Sequence, residues 1–206
     1  NPDLFSFDVS DLGPRQIPST VTRRVFIEDS ERIAFSSQVK NILHQISTCK
    51  TFPSFEKAGP RERIFHRPQS TRAAVTTCGG LCPGLNNVIK GLVTVLEQEY
   101  EVTRILGIRY GYKGLTQKSL HRPLELNRST VDAIHKQGGT ILGSSRGNQD
   151  PEEMVNELVK MNVNLLFCVG GDGTLKGAKA IAEEIGRRGL NISVIGVPKT
   201  IDNDLG

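Results

Sequence analysis

The chain has 206 residues, of which 37% are hydrophobic and 23% are charged, enough for one large domain, or a domain with an extension, around a sizeable core. Its formal net charge of +4 comes from scattered lysines and arginines without a basic run, which argues against nucleic-acid binding and suits acidic small molecules such as phosphates. No apolar stretch is long enough to span a bilayer, and the four irregularly spaced cysteines indicate free thiols of a reducing cytosol, not a zinc or redox pair.

Residues 1–72 show weak periodicity, because prolines interrupt most candidate elements. One stretch, SSQVKNILHQI, spaces its apolar residues like a helix, and these residues are Val39, Ile42, Leu43 and Ile46. We interpret the region as an irregular N-terminal extension with one short helix that packs on, or belongs to, a partner lobe. The chain starts without methionine and stops in a predicted loop, so it is also interpreted as a fragment.

Residues 73–206 alternate between predicted strands and helices. The predicted strands are RAAVTT, TRILGI, NLLFCV and ISVIGV, and the third is almost continuously apolar, as expected for a parallel strand covered on both faces. Longer helices are predicted after the first strand and before and after the third, and a short one at 131–136. This order predicts an α/β fold with a doubly wound, mostly parallel sheet and helices on both faces.

Asp150 is expected to cap the helix that precedes the third strand, with Pro151 at its first position. The apolar stripe predicted for this helix consists of Met154, Val155, Leu158 and Val159. In sheets of this type, ligands bind beyond the carboxyl ends of the strands. The unusual residues of the chain follow the predicted strands repeatedly, so the functional site is expected at that edge.

The stretch VGGDGTLKGAKAIAEEI joins the third strand to a helix. Gly171 and Gly173 let backbone amides approach phosphate oxygens at the positive end of the helix dipole. The spacing also suits a dinucleotide site, but Asp172 would repel a bare pyrophosphate, and the expected acidic ribose partner is missing. Because Mg²⁺ on Asp172 would offset phosphate charge, the loop predicts a metal–triphosphate site. The alternative is an ordinary strand–helix turn with Asp172 as the N-cap.

Two further loops suit phosphate binding. TTCGGLCPGLNN follows the first strand, and Gly79 and Gly80 allow close approach to a nucleotide, although many turns look similar. GGTILGSSRGNQD contributes Arg146, whose guanidinium can bind phosphate oxygens bidentately. The alternative for Arg146 is an exposed surface arginine.

The stretch VIGVPKTIDNDLG places polar side chains directly after the last strand. Thr200, Asp202 and Asp204 alternate, so in an extended segment their side chains would point to one side. Phosphoryl transfer to a sugar alcohol needs a carboxylate near the accepting hydroxyl and polar groups that hold the other hydroxyls. The segment therefore predicts a sugar site, and the alternative is an Asx-type turn.

TTCGGLCPGLNNVIKG, GYKGL, GGTILGSSRG, GGDGT and GVPKTIDND occur in the order and spacing of the 6-phosphofructokinase family, which the chain resembles from about Arg72 to Gly206. The preceding FEKAGPRERIFHRP resembles the long-extension subgroup of plants, kinetoplastids and some bacteria. The resemblance implies a glycolytic kinase that phosphorylates the 1-hydroxyl of fructose 6-phosphate, with ATP as donor and Mg²⁺ as cofactor. It also implies an allosteric homo-oligomer, a dimer or tetramer, in the cytoplasm or in a plastid.

Position by position, the resemblance implies that Asp202 is the catalytic base and that Asp172 binds Mg²⁺. The residues implied at fructose 6-phosphate are Thr200, Ile201, Asp202 and Asp204. The residues implied around the nucleotide are Gly80, Arg146, Gly147, Gly171, Asp172, Gly173 and Thr174. Further sugar-phosphate contacts of the family lie beyond residue 206, so the isolated chain is expected to show little or no activity.

Gly173 and Lys199 are the positions that bear on the phosphoryl donor. In the family, pyrophosphate-dependent enzymes typically carry aspartate in place of Gly173, which blocks the ATP α-phosphate, so the glycine favours ATP. Lys199 is a departure, because common bacterial ATP enzymes have glycine there and pyrophosphate enzymes have lysine. The combination of glycine and lysine is similar to the long-extension subgroup, whose members use ATP. ATP is therefore the expected donor, and pyrophosphate is the alternative.

Two other functions compete with this interpretation. NAD and diacylglycerol kinases share GGDGT but lack PKTIDND after the next strand. A non-catalytic, nucleotide-binding regulatory subunit or an inactive fragment is the alternative from a different class. Intact Asp172, Thr200 and Asp202 argue against a decayed active site.

Overall fold

The structure is a computed structural model that describes residues 7, 9, 11–22, 25–49, 51–117 and 119–202. The chain divides into two compact units, Asn1–Phe65 and His66–Gly206. The sequence places the end of the extension at residue 72, whereas this division falls at His66. His66, the first residue of the second unit, forms a hydrogen bond between its Nε2 and the Ser193 hydroxyl (2.8 Å).

The first unit contains little regular structure in its described part. Its elements in chain order are β1 (Ile17–Pro18), β2 (Arg32–Ala34), α1 (Val39–Thr48), β3 (Ser54–Glu56) and β4 (Arg63–Ile64). β1 pairs antiparallel with β4, and β2 pairs antiparallel with β3. The single predicted helix of this region is confirmed as α1.

The second unit is built on one five-stranded sheet. Its elements in chain order are β5 (Arg72–Thr77), α2 (Leu85–Gln98), β6 (Arg104–Ile108), β7 (Leu124–Leu126), α3 (Arg128–Val131), α4 (Pro151–Lys160), β8 (Leu165–Gly170), α5 (Asp172–Arg187) and β9 (Ser193–Pro198). The short helix expected at 131–136 is instead two pieces, α3 and a 3-10 turn at Ile134–Lys136. The four predicted strands are confirmed as β5, β6, β8 and β9.

The strand order in this sheet is β7-β6-β5-β8-β9. β6, β5, β8 and β9 are parallel, and β7 is antiparallel at the edge. From the central pair the chain proceeds outward in both directions, from β5 to β6 and from β8 to β9. The order therefore reverses between β5 and β8, and loops at such a reversal form a crevice beyond the carboxyl ends of the strands.

Helices cover both faces of the sheet, as the sequence predicts. Alternate residues of β5 face opposite sides, so Ala73 and Val75 pack with α2, while Ala74 packs with α4 and α5. Ile89 on the first face and Ile181 on the second are fully buried. The central strands are thus fixed between two apolar layers, which holds their loops in place.

The helices of the second face are stabilised at their ends by local polar contacts. The Asp150 carboxylate accepts a hydrogen bond from the Glu152 amide (3.0 Å), which confirms the predicted N-cap of α4. Near the end of α5, Glu184 accepts bonds from Arg187 (2.8 Å from Nε) and from Arg188. These hydrogen bonds lower the pKa of Glu184 to about 2, and the bond from Arg187 has the larger effect.

We predict that the contribution of Glu184 to stability depends on pH. A carboxylate with a lowered folded-state pKa stabilises the fold above its unfolded-state pKa, and this effect is lost as pH falls through the folded-state value. Glu184→Gln should therefore lower the thermal midpoint at pH 7, with the difference from wild type shrinking as pH falls from 4.5 towards about 2. Circular dichroism melts across this range measure it.

Glu183→Gln is the matched control, because Glu183 is exposed and its carboxylate lies 3.7 Å from Lys179. It should change the midpoint little at any pH, since exposed ion pairs contribute little. Equal losses for the two variants, or a loss for Glu184→Gln that is independent of pH, would contradict the prediction.

Candidate phosphate-binding site

The loops after β5, β8 and β9 start side by side at the carboxyl edge of the sheet. The Cys78 amide, just after β5, donates to the Val169 carbonyl in β8 (2.9 Å). The Lys199 amide, just after β9, donates to the Gly170 carbonyl (2.9 Å). These bonds continue the hydrogen bonding between strands beyond the last paired residues. The three loops therefore begin next to one another at the same edge of the sheet. The crevice where the strand order reverses therefore lies between fixed backbone segments.

Gly170 is the point where these segments pack most closely. A Cβ at Gly170 would lie 2.1 Å from Thr174 Oγ1 and 2.8 Å from the Cys78 carbonyl oxygen. The missing side chain lets Thr174 pack against the end of β8, where it is only 5% exposed. The structure thus places Thr174, a predicted nucleotide residue, beneath the turn that begins α5.

Gly171, Asp172 and Gly173 form the start of α5. Gly171 is the N-cap, so the alternative in which Asp172 caps the helix is wrong. Asp172 is the first helical residue, and its 71% exposed carboxylate pairs with Lys176 Nζ (2.7 Å). A Cβ at Gly173 would meet nothing within 4 Å. The amides that begin α5 carry the positive end of its dipole and suit an anion, and of these the Thr174 amide already donates to the Gly171 carbonyl (2.9 Å).

Two cationic side chains lie against the Gly79–Gly80 loop. Lys199 Nζ donates to the Gly80 carbonyl. A Cβ at Gly80 would lie 3.5 Å from Arg146 Nη2 and 3.8 Å from Lys199 Nζ. On the other side, a Cβ at Gly171 would lie 3.4 Å from the Lys199 carbonyl oxygen. The structure therefore brings Gly80, Arg146, Gly171 and Lys199 together. Arg146 is exposed, so its role at phosphate and the alternative of a surface arginine both stay predictions.

The segment before Arg146 is fixed by small polar residues to which the sequence analysis assigned no role. The Gly79 amide donates to the Ser145 carbonyl (3.0 Å), and the Ser144 hydroxyl donates to the Gly79 carbonyl (2.5 Å). The Thr77 hydroxyl donates to the Gly143 carbonyl (2.8 Å). These bonds place Arg146 beside the loop after β5. The paired serines of GGTILGSSRG are the only sequence signal for this docking.

Gly147 follows Arg146 in an exposed position with φ +101°, a backbone conformation that favours glycine. Its conformation sets where the chain turns after Arg146. A Cβ at Gly147 would meet nothing within 4 Å, and its contact with the nucleotide stays a prediction.

The predicted sugar segment follows β9, but it bends where the sequence analysis expects extension. The Asp202 amide donates to the Thr200 hydroxyl (3.2 Å), because a threonine oxygen can accept from the amide two residues on. The chain is bent at Ile201 and Asp202, so it lacks there the extended conformation from which the one-sided alternation was predicted. Ile201 and Asp202 are exposed, and Asp204 lies outside the described residues.

Buried thiols near the crevice are not reactive groups. Burial raises the pKa of Cys168 to about 12 and also raises the pKa of Cys78, so both stay protonated near neutral pH. All four cysteines, which lie in the described ranges, are free. Within the same ranges, no helix is long and apolar enough to cross a membrane.

Asp172 is the candidate metal ligand. In the part of the chain that the structure describes, no three histidine, cysteine, aspartate or glutamate side chains cluster as a metal site. Mg²⁺ is commonly bound by one or two carboxylates together with substrate phosphates and water. A single exposed carboxylate at a phosphate-binding turn fits this mode, and it does not fit a metal held by protein ligands alone.

A glycine-rich crevice at the strand reversal of a doubly wound sheet is the place where α/β proteins of this class bind their ligands. The sequence model of the family described as phosphofructokinase matches residues 72–206, and the chain belongs to this family.

Similar sequences carry the name ATP-dependent 6-phosphofructokinase. The Trypanosoma cruzi protein is 48% identical over 186 residues, which cover 90% of this chain and 38% of the relative. The Borreliella burgdorferi protein is 54% identical over 149 residues, covering 72% of this chain and 33% of the relative. The chain thus spans about a third of the length of these relatives. The longer T. cruzi match also extends into the residues before Arg72.

Solved structures show the same fold. The Pichia pastoris phosphofructokinase in the T-state gives a TM-score of 0.57 at 23% identity, covering 73% of this chain and 18% of that one. A pyrophosphate-dependent phosphofructokinase from Marinobacter aquaeolei gives 0.56 at 22% identity, covering 64% of this chain and 34% of that one. At these identities the likeness concerns the fold alone, and it confirms the predicted α/β architecture.

We predict that the turn tolerates a methyl group at Gly173 but not at Gly170. Gly170→Ala should lower the free energy of unfolding by about 1–3 kcal/mol, because the new Cβ overlaps Thr174 and the Cys78 carbonyl. Gly173→Ala should be neutral or stabilising by up to about 1 kcal/mol, because alanine favours a helix over glycine. Urea denaturation of both variants measures this, and equal stabilities would show that the close approach at Gly170 is wrong.

Proposed function

We propose that an enzyme of the relatives' length, containing this chain, transfers the terminal phosphoryl group of ATP to the 1-hydroxyl of fructose 6-phosphate. The products are fructose 1,6-bisphosphate and ADP, and the pathway is glycolysis. One observation carries the proposal. Gly80, Arg146 and Lys199 lie close together beside the open first turn of α5. The names of the relatives, at 48% and 54% identity, support the same reaction.

In this proposal the donor binds along the loops after β5 and β8. Glycines at the crevice let the backbone approach the phosphates, and Arg146 adds a guanidinium that can bind phosphate oxygens. Asp172 would hold Mg²⁺ together with those oxygens, and the ion would offset their charge. The residues proposed around the nucleotide are Gly80, Arg146, Gly147, Gly171, Asp172, Gly173 and Thr174. The Thr174 side chain is buried and its amide donates to the Gly171 carbonyl (2.9 Å), so Thr174 is proposed to hold the turn beside the nucleotide.

The acceptor sugar is proposed to bind at the segment after β9. Asp202 would take the proton of the 1-hydroxyl and orient its oxygen for attack on the donor phosphorus. Thr200, Ile201 and Asp204 complete the contacts proposed for this chain. Asp202 is exposed. Like Lys199, it lies in the loop that follows β9 at the carboxyl edge of the sheet, so a substrate can reach it.

We also propose that the enzyme is an allosteric homo-oligomer, a dimer or tetramer, in the cytoplasm. A plastid location is the alternative, and one relative, ATP-dependent 6-phosphofructokinase 4, chloroplastic, from Arabidopsis thaliana, is 42% identical over 185 residues. That match covers 90% of this chain and 33% of the relative.

Asp202→Asn tests the catalytic role in the full-length enzyme. The amide cannot take a proton, so kcat should fall by about 10²- to 10⁴-fold with a much smaller change in KM for either substrate. A coupled assay of ADP formation measures it. Asp132→Asn is the control, because Asp132 is exposed and lies 3.8 Å from Lys90 on another part of the unit. A loss below tenfold for Asp202→Asn would remove Asp202 from the role of base.

Pyrophosphate is the second candidate donor, and Lys199 favours it. Its ammonium group lies beside Gly80 and can neutralise a compact anion. Gly173 favours ATP, because the space around it is open. The donor therefore depends on which of the two positions dominates.

Gly173→Asp decides between the donors, with Gly173→Ala as the uncharged control. The new carboxylate should lower kcat/KM for ATP at least about tenfold more than for pyrophosphate, because it repels and obstructs the inner phosphate. Gly173→Ala should change both values much less. Initial rates with each donor measure the ratio. A wild-type enzyme that prefers pyrophosphate, or equal losses for both donors, would exclude the ATP assignment.

A further inference from the structure

The stretch GYKGL has no role in the site described above, yet it contacts that site on two sides. It forms a 3-10 helix, Gly111–Leu115, directly after β6. The Tyr112 hydroxyl donates to the Thr174 carbonyl in the first turn of α5 (2.6 Å). Both residues are buried, and Tyr112 is only 6% exposed. A hydrogen bond out of reach of water thus joins the end of β6 to the turn that carries Asp172.

The ring of Tyr112 accounts for a glycine in the interior of α5. A Cβ at Gly177 would lie 2.5 Å from Cε2 of this ring. Glycine is unfavourable in a helix interior relative to alanine, so its presence needs a packing reason. The ring fills the space that a side chain at Gly177 would take. Hydroxyl and ring therefore fix α5 at two successive turns.

The neighbouring Gly111 contacts the other side of the crevice. Its φ is +61°, and a Cβ there would lie 2.9 Å from the Ser145 hydroxyl and 3.0 Å from Cys78 Sγ. Gly111 thus packs against the loop after β5 and against the segment that carries Arg146. Two adjacent residues, Gly111 and Tyr112, therefore contact all three parts of the proposed donor site.

The Tyr112 hydroxyl is a permanent donor. Burial raises its pKa well above the usual value, so it remains protonated wherever the chain is folded. The Cys168 thiol is a second hydrogen-bonding neighbour of this hydroxyl. With its proton committed to the Thr174 carbonyl, the hydroxyl holds one orientation.

We propose that Tyr112 is a positioning residue of the donor site, whose hydroxyl holds the first turn of α5 so that Asp172 and Gly173 face the donor phosphates. The inference rests on the proposed function, because it needs that turn to bind the donor. Tyr112 acts through the Thr174 backbone and does not itself contact the ligand.

Tyr112→Phe tests the proposal, since it keeps the ring against Gly177 and removes only the hydroxyl. Calorimetric titration of this chain with MgATP should show about threefold to tenfold weaker binding, the range expected for one lost hydrogen bond. In an Asp172→Asn background, Tyr112→Phe should weaken MgATP binding less than twofold, because the Asp172 carboxylate that the turn orients is already missing. Tyr110→Phe is the matched control and should bind like wild type.

Hydrogen exchange gives a readout that does not depend on the nucleotide. The Leu175 amide donates to the Gly171 carbonyl (3.0 Å), and the Arg188 amide donates to the Glu184 carbonyl (3.1 Å). Tyr112→Phe should speed exchange at Leu175 about threefold or more and leave Arg188 unchanged. If Tyr112→Phe does not fold, Gly177→Ala, which displaces the ring, should give the same pattern.

The outcomes separate the two proposals. If the unchanged chain binds neither MgATP nor magnesium pyrophosphate, the proposed function fails, and exchange at Leu175 still decides whether Tyr112 holds the turn. Equal exchange changes at both ends of α5, or a full additive loss of binding in the double variant, would show that Tyr112 only supports the fold.

Discussion

The site depends on one constraint, the close approach of backbones at the carboxyl ends of β5 and β8. Hydrogen bonds from the Cys78 and Lys199 amides extend the sheet to its last residues, and Gly170 leaves room for Thr174 beneath the turn. A side chain at Gly170 would separate these segments. Because they stay in contact, the glycine loop after β5 and the first turn of α5 open into the same crevice. The fold itself therefore creates the surface proposed to bind phosphate.

The charges at this crevice suit a phosphoryl donor and its metal ion. Arg146 and Lys199 lie beside Gly80, where they can offset phosphate charge. Asp172 supplies one exposed carboxylate that is paired with Lys176, and binding of the proposed ion would have to replace this pair. Tyr112 connects the same turn to β6 from the buried side. The donor half of the site is therefore built from backbone geometry, with few charged side chains and a buried hydrogen bond behind them.

The strands and long helices could be predicted because their periods and caps are local properties of the sequence. β7 was missed because three residues at an antiparallel edge carry too short a pattern. Val159 was assigned to a buried stripe and is 45% exposed, since the neighbouring elements of the fold decide which part of a helix face is covered. The bend at Thr200 and Asp202 was missed because a side-chain hydrogen bond there overrides the extended pattern. The position of the crevice could be predicted from the glycine-rich loops. The roles of Ser144, Ser145 and Tyr112 could not, because they depend on contacts between residues that are distant in the sequence.

The most direct test of this account is a crystal structure of the full-length enzyme with fructose 6-phosphate and a non-hydrolysable MgATP analogue. We expect the phosphates at the amides of Gly171–Gly173 and beside Gly80, with Asp172 on the metal ion. We also expect the 1-hydroxyl between the terminal phosphorus and Asp202. Triphosphate density away from the crevice between β5 and β8, or Asp172 and Asp202 too far apart to flank one phosphate, would contradict this account.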